Sequence, residues 1–327
     1  MPKTVKKPVR PRARENAELG ISLGRDWMHR HAHAPEPVPP LYHYTSAAAI
    51  RGILQSGRVW ASGAQYMNDW MEVVYGYDII MNGLRDLVEK RKLPERSRAV
   101  FTDALRLMES PDSPFIDAYF VAFCEKGNLL SQWRAYAGTQ GFAIEFDPLV
   151  IKGELTLTTH APARNLRLAK VGYDPRKQKN EFRDLIDELT ETIEATKGDH
   201  AKASIRPTLV EFSRMVLSSW AATVKHPGFE EEQEWRVIFQ PLITAEEKYL
   251  STREFVVRLE GPEFVTHVEF MPDKKVLGKR GHLLPIKSIV CGPSVTMRTT
   301  MRALEILLRN NGYDDVVIRK SEIPARS

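Results

Sequence analysis

Apolar residues from Leu41 onward follow two kinds of pattern. Short apolar runs between Gly, Pro, Asn or Asp are typical of β-strands, and apolar residues spaced three or four apart are typical of helices that bury one face. Ser46 is a good N-cap for one helical segment, Gly57 follows it as a C-terminal glycine, and Pro207 begins another. The predicted helices are AAAIRGILQS, a long helix carrying Met71 to Leu84, residues 96–109, LLSQWRAYA, a helix carrying Phe182 to Ile193, residues 207–222 and residues 295–310; the predicted strands are LYHYT, RVWAS, DAYFVAFCE, GFAIEFDP, ARNLRLAKVGY, EWRVIFQ, EFVVRLE, FVTHVEF, PIKSIVCG and DVVIRKS.

These strands outnumber what one helical domain would use, and the helices come in clusters rather than alternating with single strands. The order predicts an α+β fold with a central mixed or mostly antiparallel sheet. Residues 1–16 contain Pro, Lys and Arg but almost no large apolar residue, so we predict a disordered basic arm. Residues 17–40 are predicted to form a short docking segment, with Trp27 and Met28, and a proline-rich linker. Residues 41–327 then form a single domain.

The net charge of +5 is concentrated at the N-terminus. Residues 1–14 contain six basic side chains and no acidic one, which leaves the body nearly neutral. Such an arm can bind the phosphates of a nucleic acid through release of counterions. It also has the composition of a disordered, solubilising tail, and no aromatic residue lies among the charges to stack on bases. Both interpretations stay open for Lys3, Lys6, Lys7, Arg10, Arg12 and Arg14.

Several classes of protein are disfavoured by composition. Cys124 and Cys291 lie in apolar, strand-like runs, so we expect no disulfide framework and a reducing cytoplasm as the compartment. No run approaches the roughly eighteen apolar residues of a membrane helix, so no membrane partner is expected. Neither a P-loop nor a GxGxxG after a strand is present. His29, His31 and His33 alternate in the linker but lack acidic or cysteine neighbours, so we expect no metal site.

Five segments of the body stand out by their order and spacing. They are LYHYTSAAAIRGILQSGRVWAS with MNDWME after it, FCEKGNLLSQWRAYAGTQGFAIEFDP, KHPGFEEEQEWRVIF, IKSIVCGPS and KSEIPAR. Together they resemble an uncharacterised bacterial family of domains of unknown function. Its pattern is a His/Tyr–Thr start, an Asn-Asp-x-x-Glu turn, a Trp-x-x-Tyr helix before a Gly-Phe strand, a Phe-x-x-Glu-x-Glu-x-Arg block and a Ser-x-Ile-Pro tail. The resemblance covers about residues 41–326 and implies a shared fold rather than an activity.

A second, looser resemblance concerns the start of the body. A strand ending in His-x-Thr, with His43 and Thr45, leads into a helix of the Ile-x-x-Ile-Leu-x-x-Gly type. A strand with Trp60 and a turn with Tyr66 follow. This arrangement resembles the start of ADP-ribosyltransferases of the His–Tyr–Glu kind. It implies an ADP-ribosyltransferase-like fold and NAD as a substrate.

The resemblance also implies roles for particular side chains. Such sites end in a glutamate at the start of a strand, and Glu232 and Glu234 directly precede the apolar run of EWRVIF. Cleavage of nicotinamide from NAD passes through an oxocarbenium-like cation, which a fixed carboxylate stabilises. By analogy Glu234 stabilises this cation, Glu232 helps to activate the acceptor, His43 orients NAD, and Tyr66 or Tyr44 stacks on nicotinamide.

Cations near these motifs are candidate phosphate ligands. Arg134, on the helix that also carries Trp133, resembles a cleft wall with a positive charge, and Thr45 belongs to the same predicted NAD site. Arg236 is two residues after Glu234 and therefore shares its strand face, where it can bind either that carboxylate or a pyrophosphate. Lys225 is a weaker candidate of the same kind.

Each candidate also has a structural interpretation. Glu232 and Glu234 belong to a run of acidic residues typical of a solvated loop, and a buried Glu234–Arg236 pair can serve the fold alone. His43 can be a hydrogen-bonded core histidine. Asn68, Asp69 and Glu72 fit helix capping as well as they fit chemistry.

Three functions therefore remain open. The first is an NAD-dependent ADP-ribosyltransferase or NAD glycohydrolase, in the setting of a toxin or a phage-defence effector, with a protein or nucleic acid as acceptor. The second is a nucleic-acid-associated protein that uses the basic arm. The third is a non-enzymatic regulatory or immunity module that acts through a partner protein.

Overall fold

A large, mostly antiparallel sheet forms the centre of the fold in the computed structural model, as the pattern of strands predicts. The structure describes residues 11–31, 37–64, 70–90, 93–110, 118–136, 140–147, 155–157, 166–196, 205–240, 255–260, 263–272, 283–294 and 296–324. The strands are β1 (Leu41–Ser46), β2 (Val59–Gly63), β3 (Tyr119–Cys124), β4 (Gly141–Phe146), β5 (Leu155–Leu157), β6 (Leu166–Lys170), β7 (Glu234–Phe239), β8 (Phe255–Glu260), β9 (Glu263–Pro272), β10 (Ile286–Cys291) and β11 (Val317–Lys320).

The strand order is β11-β10-β4-β1-β3-β2-β9-β5. Strand β7 pairs with β3 and β6, and β8 pairs with β9. Clustered helices complete an α+β fold, which confirms that prediction. The helices are α1 (Pro11–Arg30), α2 (Ala47–Ser56), α3 (Trp70–Lys90), α4 (Glu95–Met108), α5 (Leu130–Tyr136), α6 (Pro175–Ala195), α7 (Arg206–Ala221) and α8 (Met297–Asn310), with a 3-10 helix at Pro227–Glu232.

The sheet forks at strand β3. Strands β1 and β2 pair with the same edge of β3, but at its two ends, because Tyr42 lies opposite Cys124 while Ser62 lies opposite Phe120. Strand β7 pairs along the whole of the other edge. Among the described strands, residues 121–123 therefore have a partner on the β7 side only. The branch β1-β4-β10-β11 diverges there from the branch that starts with β2.

Cross-strand register assigns the side chains to two faces of the sheet. Tyr42, Cys124 and Glu234 form one row across β1, β3 and β7, on what we call the back face. Because successive residues alternate, Tyr44 and Arg236 also point to the back face. The next residues along these strands define the front face, which carries His43, Thr45, Phe123 and Trp235.

Helices cover both faces. Apolar residues of α1, α3, α4, α6 and α7 pack on the back face around Phe120 and Ile238. Helix α5 packs on the back face of the other branch, where Trp133 contacts Tyr44. Helices α2 and α8 cover the front face and share a hydrophobic core with Phe123 of β3. In the part of the chain that the structure describes, no helix is long and apolar enough to cross a membrane.

Helix α1 docks on the back-face helices through Trp27 and Met28, which are 2% and 3% exposed. The helix begins at Pro11, so the prediction of a disordered arm is wrong for residues 11–16. Composition alone does not predict this helical start, because Arg, Ala and Glu extend a helix well once apolar residues further along it are packed. Residues 1–10, with most of the predicted arm, lie outside the described residues.

Local capping signals were reliable. Ser46 accepts a hydrogen bond from the Ala49 N–H at the start of α2, and Gly57 ends that helix in a left-handed conformation with φ 65°. Pro207 lies in the first turn of α7 as predicted. The acidic run before β7, whose composition is typical of a solvated loop, forms the 3-10 helix, which His226 caps by accepting from the Gly228 N–H.

Two helical glycines offer a matched test of packing. A Cβ added to Gly76 of α3 would lie 2.6 Å from the carbonyl oxygen of Ala221 on α7, whereas one added to Gly52 of α2 meets no atom within 4 Å. We expect Gly76→Ala to lower the free energy of unfolding by about 1–3 kcal/mol, because α3 and α7 must move apart. Gly52→Ala should raise it by roughly 0.5–1 kcal/mol through helix propensity. Urea denaturation followed by circular dichroism measures both, and changes of the same sign would contradict the close approach.

Candidate functional site

His43 lies at the fork of the sheet. Its Nδ1 is 3.0 Å from the carbonyl oxygen of Ala122, which lies on the edge of β3 shared by β1 and β2, in the stretch between the residues that pair with these two strands. A carbonyl only accepts, so Nδ1 carries the hydrogen and donates it. The imidazole thus satisfies a carbonyl that a neighbouring strand would otherwise satisfy.

The same hydrogen bond defines the state of the imidazole. Burial lowers the pKa of His43, and the bond to Ala122 opposes this only in part, so the ring is neutral at pH 7. With the hydrogen on Nδ1, the Nε2 atom keeps a lone pair and can accept from a ligand. His43 is therefore a half-buried, oriented hydrogen-bond acceptor at the point where the two branches separate.

A carboxylate that sequence reasoning missed lies on the front face as well. Glu125 follows the last residue of β3, and its carboxylate accepts from Trp235 Nε1 and from Lys170 Nζ, both at 2.7 Å. Burial raises the pKa of Glu125, but these two donors outweigh burial and the pKa is lowered. The carboxylate is ionised at pH 7 and its side chain is 20% exposed. The signal in the sequence is the position of Glu125 in FCEKGN, directly after a buried strand.

Glu234 occupies a buried ion cluster on the back face. Arg236 donates to its carboxylate through Nε at 2.6 Å and Nη2 at 3.0 Å, and Lys225 Nζ is 3.3 Å from Oε2. Lys225 also donates to Glu232 at 2.5 Å. Two carboxylates therefore balance two cations, and the Lys225 side chain is only 1% exposed.

The Phe-x-x-Glu-x-Glu-x-Arg block surrounds Lys225. The ammonium lies 4.6 Å from the centroid of the Phe229 ring, a cation–π contact, and both glutamates of the block bind it. Arg236 ties the cluster to the end of α7 by donating to the Ala222 carbonyl at 2.9 Å. The block is thus a closed unit that joins β7 to α7.

The pKa values of the two glutamates move in opposite directions. Burial raises the pKa of Glu234, but the charges of Arg236 and Lys225 more than offset burial and lower it. Burial also raises the pKa of Glu232, and the attraction of Lys225 compensates only in part, so that pKa stays raised.

The expected convergence of His43 with Glu232 and Glu234 is wrong. The register places His43 on the front face and Glu234 on the back face, and Glu232 turns toward Lys225 beside Glu234. The spacing of these residues can be read along the chain, but the register between β1, β3 and β7, which decides the face, cannot. His43 instead shares its face with Glu125.

The other predicted ligands are dispersed. Tyr44 is buried on the back face, where its hydroxyl donates to the Lys126 carbonyl and accepts from the Leu129 N–H, so it holds the loop before α5. Thr45 lies on the front face and is 6% exposed. Arg134 is exposed on α5. Tyr66, Asn68 and Asp69, and the side chain of Glu72, lie outside the described residues.

The tail segment meets the helix that carries Trp133. The side-chain oxygen of Asn128 accepts from the Trp133 indole at 3.0 Å and from the Ser321 hydroxyl at 2.7 Å. Ser321 in turn accepts from the Ile323 N–H. The Trp-x-x-Tyr and Ser-x-Ile-Pro elements are therefore one hydrogen-bonded structure, and both have a role in the fold.

Removing the charge of Glu234 should destabilise the protein strongly. Glu234→Gln leaves Arg236 and Lys225 buried with one carboxylate between them, so we expect the free energy of unfolding to fall by about 3–5 kcal/mol. The exposed Glu231→Gln is the matched control and should change it by less than about 0.5 kcal/mol. Denaturant titration of both variants is the measurement, and equal stabilities would mean that the cluster contributes nothing.

The acid limb of the stability profile should depend on the same side chain. Since the pKa of Glu234 is lower in the folded protein than its ordinary value of 4.5, its contribution is complete above pH 4.5 and disappears as the pH falls through the folded value. Wild type should therefore lose stability below pH 4.5 more steeply than Glu234→Gln. Thermal midpoints of wild type and Glu234→Gln, measured from about pH 3 to about pH 7, test this prediction. If the two curves are parallel, Glu234 is not the titrating group.

Comparison with known proteins relates part of the chain to a protein family. No curated protein and no solved structure matches this chain. A family model described as "Protein of unknown function (DUF2971)" matches residues 132–237, from α5 to β7. The match includes the Trp-x-x-Tyr helix, the Gly-Phe strand and the block around Lys225. Over these residues the chain is similar to that family, which confirms the predicted resemblance to a family of unknown function.

Proposed function

We propose that the protein is an NAD-consuming enzyme, an ADP-ribosyltransferase or NAD glycohydrolase, whose site lies on the front face at the fork of the sheet. The observation that carries the proposal is the state of His43, which is neutral, fixed through Nδ1 and left with an acceptor at Nε2. An imidazole in this state can accept from a ribose hydroxyl and so orient the dinucleotide. A toxin or a phage-defence effector is the setting in which we place this activity.

The carboxylate of the proposed site is Glu125. It lies on the face of His43, whereas Glu232 and Glu234 bind Lys225 on the other face. The indole of Trp235 and the ammonium of Lys170 hold it in place. Lys170 is half exposed and also offers a positive charge to a pyrophosphate.

The proposed reaction is cleavage of the bond between ribose and nicotinamide in NAD. The bond between ribose C1′ and the nicotinamide nitrogen breaks, and its electron pair goes to the nitrogen, which loses its positive charge. The carboxylate of Glu125 stabilises the resulting cation at the ribose. Water or a nucleophile of an acceptor then forms a bond to C1′ and releases its proton to solvent.

The test is release of nicotinamide from NAD by the purified full chain. Glu125→Gln keeps the shape and an acceptor for Trp235 but removes the charge, and we expect a loss in kcat of about 10²–10³-fold. Glu269→Gln is the matched control, because Glu269 is also a partly buried, ion-paired carboxylate, bound to Arg58 away from the fork. Its turnover should equal that of wild type.

Two outcomes would contradict the proposal. If wild type releases no nicotinamide and transfers no label from NAD to protein or nucleic acid, the function is wrong. If Glu232→Gln removes turnover while Glu125→Gln does not, the carboxylate has been assigned to the wrong face.

A second candidate is the non-enzymatic regulatory or immunity module. The observation that favours it is the closed ion cluster, in which the residues of the most distinctive sequence block bind one another rather than facing a cleft. If this function is correct, Glu125→Gln should have the same regulatory or immunity activity as the wild type.

A further inference from the structure

A groove of about 610 Å³ lies between helices α3 and α6. Its α3 wall is a stripe of residues at helical spacing from Tyr75 to Lys90, and its α6 wall runs from Pro175 to Ile186. Residues three or four apart share one face of a helix, so each helix presents one side to the groove. The volume lies within the range of roughly 300–1,000 Å³ that is usual for sites that bind small molecules.

Two contacts between the helices fix the groove. The hydroxyl of Tyr75 donates to the side-chain oxygen of Gln178 at 2.8 Å. Further along, the Phe182 ring lies against Gly83, where an added Cβ would be only 2.3 Å from a ring carbon. Gln178 is buried and also donates to the Lys225 carbonyl at 3.0 Å, which ties this end of the groove to the core. The fold itself therefore holds the walls in place, and binding does not have to order them.

The length and volume of the groove define the kind of ligand that it can hold. At about 1.5 Å per residue, the α3 wall from Tyr75 to Lys90 is roughly 22 Å long. Spread over that length, the volume corresponds to a mean cross-section of roughly 30 Å². A helix with its side chains is about 10 Å wide and needs roughly 80 Å². A partner helix therefore cannot enter the groove, whereas a single extended hydrocarbon chain can.

The apolar part of the lining is continuous with the protein core. Leu87 and Ile186 belong to the hydrophobic cluster that packs on the back face, and they are 5% and 1% exposed. Ile79 and Phe182 are partly buried and pack against the same cluster. The groove is thus a place where this cluster reaches the surface. A ligand that covers these four side chains removes apolar area from water.

The polar part of the lining carries an excess of positive charge. Lys179 and Arg183 lie one turn apart on α6, where both are exposed and like charges repel each other. On the opposite wall Lys90 donates to Asp86 at 2.7 Å, so these two charges balance. Arg183 has a carboxylate neighbour in Asp184, but the two groups are 3.6 Å apart and Asp184 is not part of the lining. An anionic group beside Lys179 and Arg183 would relieve their repulsion.

We propose that the groove binds a single-chain amphipathic carboxylate, with its hydrocarbon chain on the apolar lining and its head beside Lys179 and Arg183. The Arg183 guanidinium can bind both oxygens of a carboxylate, and Lys179 adds a second positive charge. The narrow cross-section admits one chain, which distinguishes this ligand from a two-chain lipid or a membrane surface. The groove lies among the back-face helices, so this site is separate from His43 and Glu125 on the front face.

Sodium decanoate is the first probe, titrated calorimetrically into the full chain at neutral pH. We expect one site per chain. Octanoate, which is two methylene groups shorter, should bind about five- to fifteenfold more weakly, because each buried methylene contributes a factor of up to about four. Decanol has the same chain without the charge and should bind more weakly than decanoate. Decyltrimethylammonium, a cation with the same chain, should bind more weakly still.

Substitutions on the two walls separate the head from the chain. The double variant Lys179→Gln with Arg183→Gln should weaken decanoate binding about three- to tenfold and leave decanol binding unchanged, because only the charged head uses these side chains. The matched control is Arg176→Gln with Lys177→Gln, since both are exposed cations of the same helix outside the groove. It changes the net charge equally and should leave both affinities as in wild type. Ile79→Asn makes the apolar wall polar and should weaken decanoate and decanol binding alike.

Several results would overturn this site. If decanoate shows no saturable binding, or if decanol binds as tightly as decanoate, the groove does not recognise an amphipathic carboxylate. If the control variant at Arg176 and Lys177 weakens decanoate binding as much as the groove variant does, the attraction is a general effect of net charge. If the full chain instead dimerises in solution and Ile79→Asn abolishes the dimer, a second copy of the chain covers the apolar wall.

Discussion

The fold depends on one constraint, the sharing of a single edge of β3 by two strands. Strand β1 pairs at one end of that edge and β2 at the other, so none of the described strands donates to the carbonyl of Ala122 between them. His43 fills this position with an imidazole N–H. A side-chain donor at the fork lets the branches diverge without leaving a backbone acceptor unsatisfied. The half-buried acceptor that remains on the ring is a direct consequence.

On the back face, buried polar groups are satisfied by an ion cluster. Glu234, Arg236, Lys225 and Glu232 exchange hydrogen bonds so that charge and donors balance within a small volume. Removing any single member of such a cluster is destabilising, because it leaves a buried charge uncompensated. The cluster connects the start of β7 to the end of α7, through Arg236 and the Ala222 carbonyl, and so fixes the sheet against the helices.

Sequence reasoning succeeded where the signal was local. The cap at Ser46, the left-handed Gly57 and the α+β class all follow from patterns within a few residues of one another. The prediction that His43 and Glu234 share a site was wrong because it depends on non-local information. His43 and Glu234 have the residue types of a catalytic pair, but their faces depend on pairing across β3, which no spacing in the sequence encodes. Glu125 was overlooked because its neighbours Trp235 and Lys170 are far from it in the chain.

The two faces are nevertheless connected through one strained residue. Gln233, between the two glutamates of the cluster, has a φ of 43°, which is unusual for a residue with a side chain. Its carbonyl accepts from the backbone N–H of Glu125 at 3.3 Å. Ion pairs on the back face therefore hold a backbone conformation that positions a carboxylate on the front face. A charge-balanced block can in this way support the proposed site without entering it.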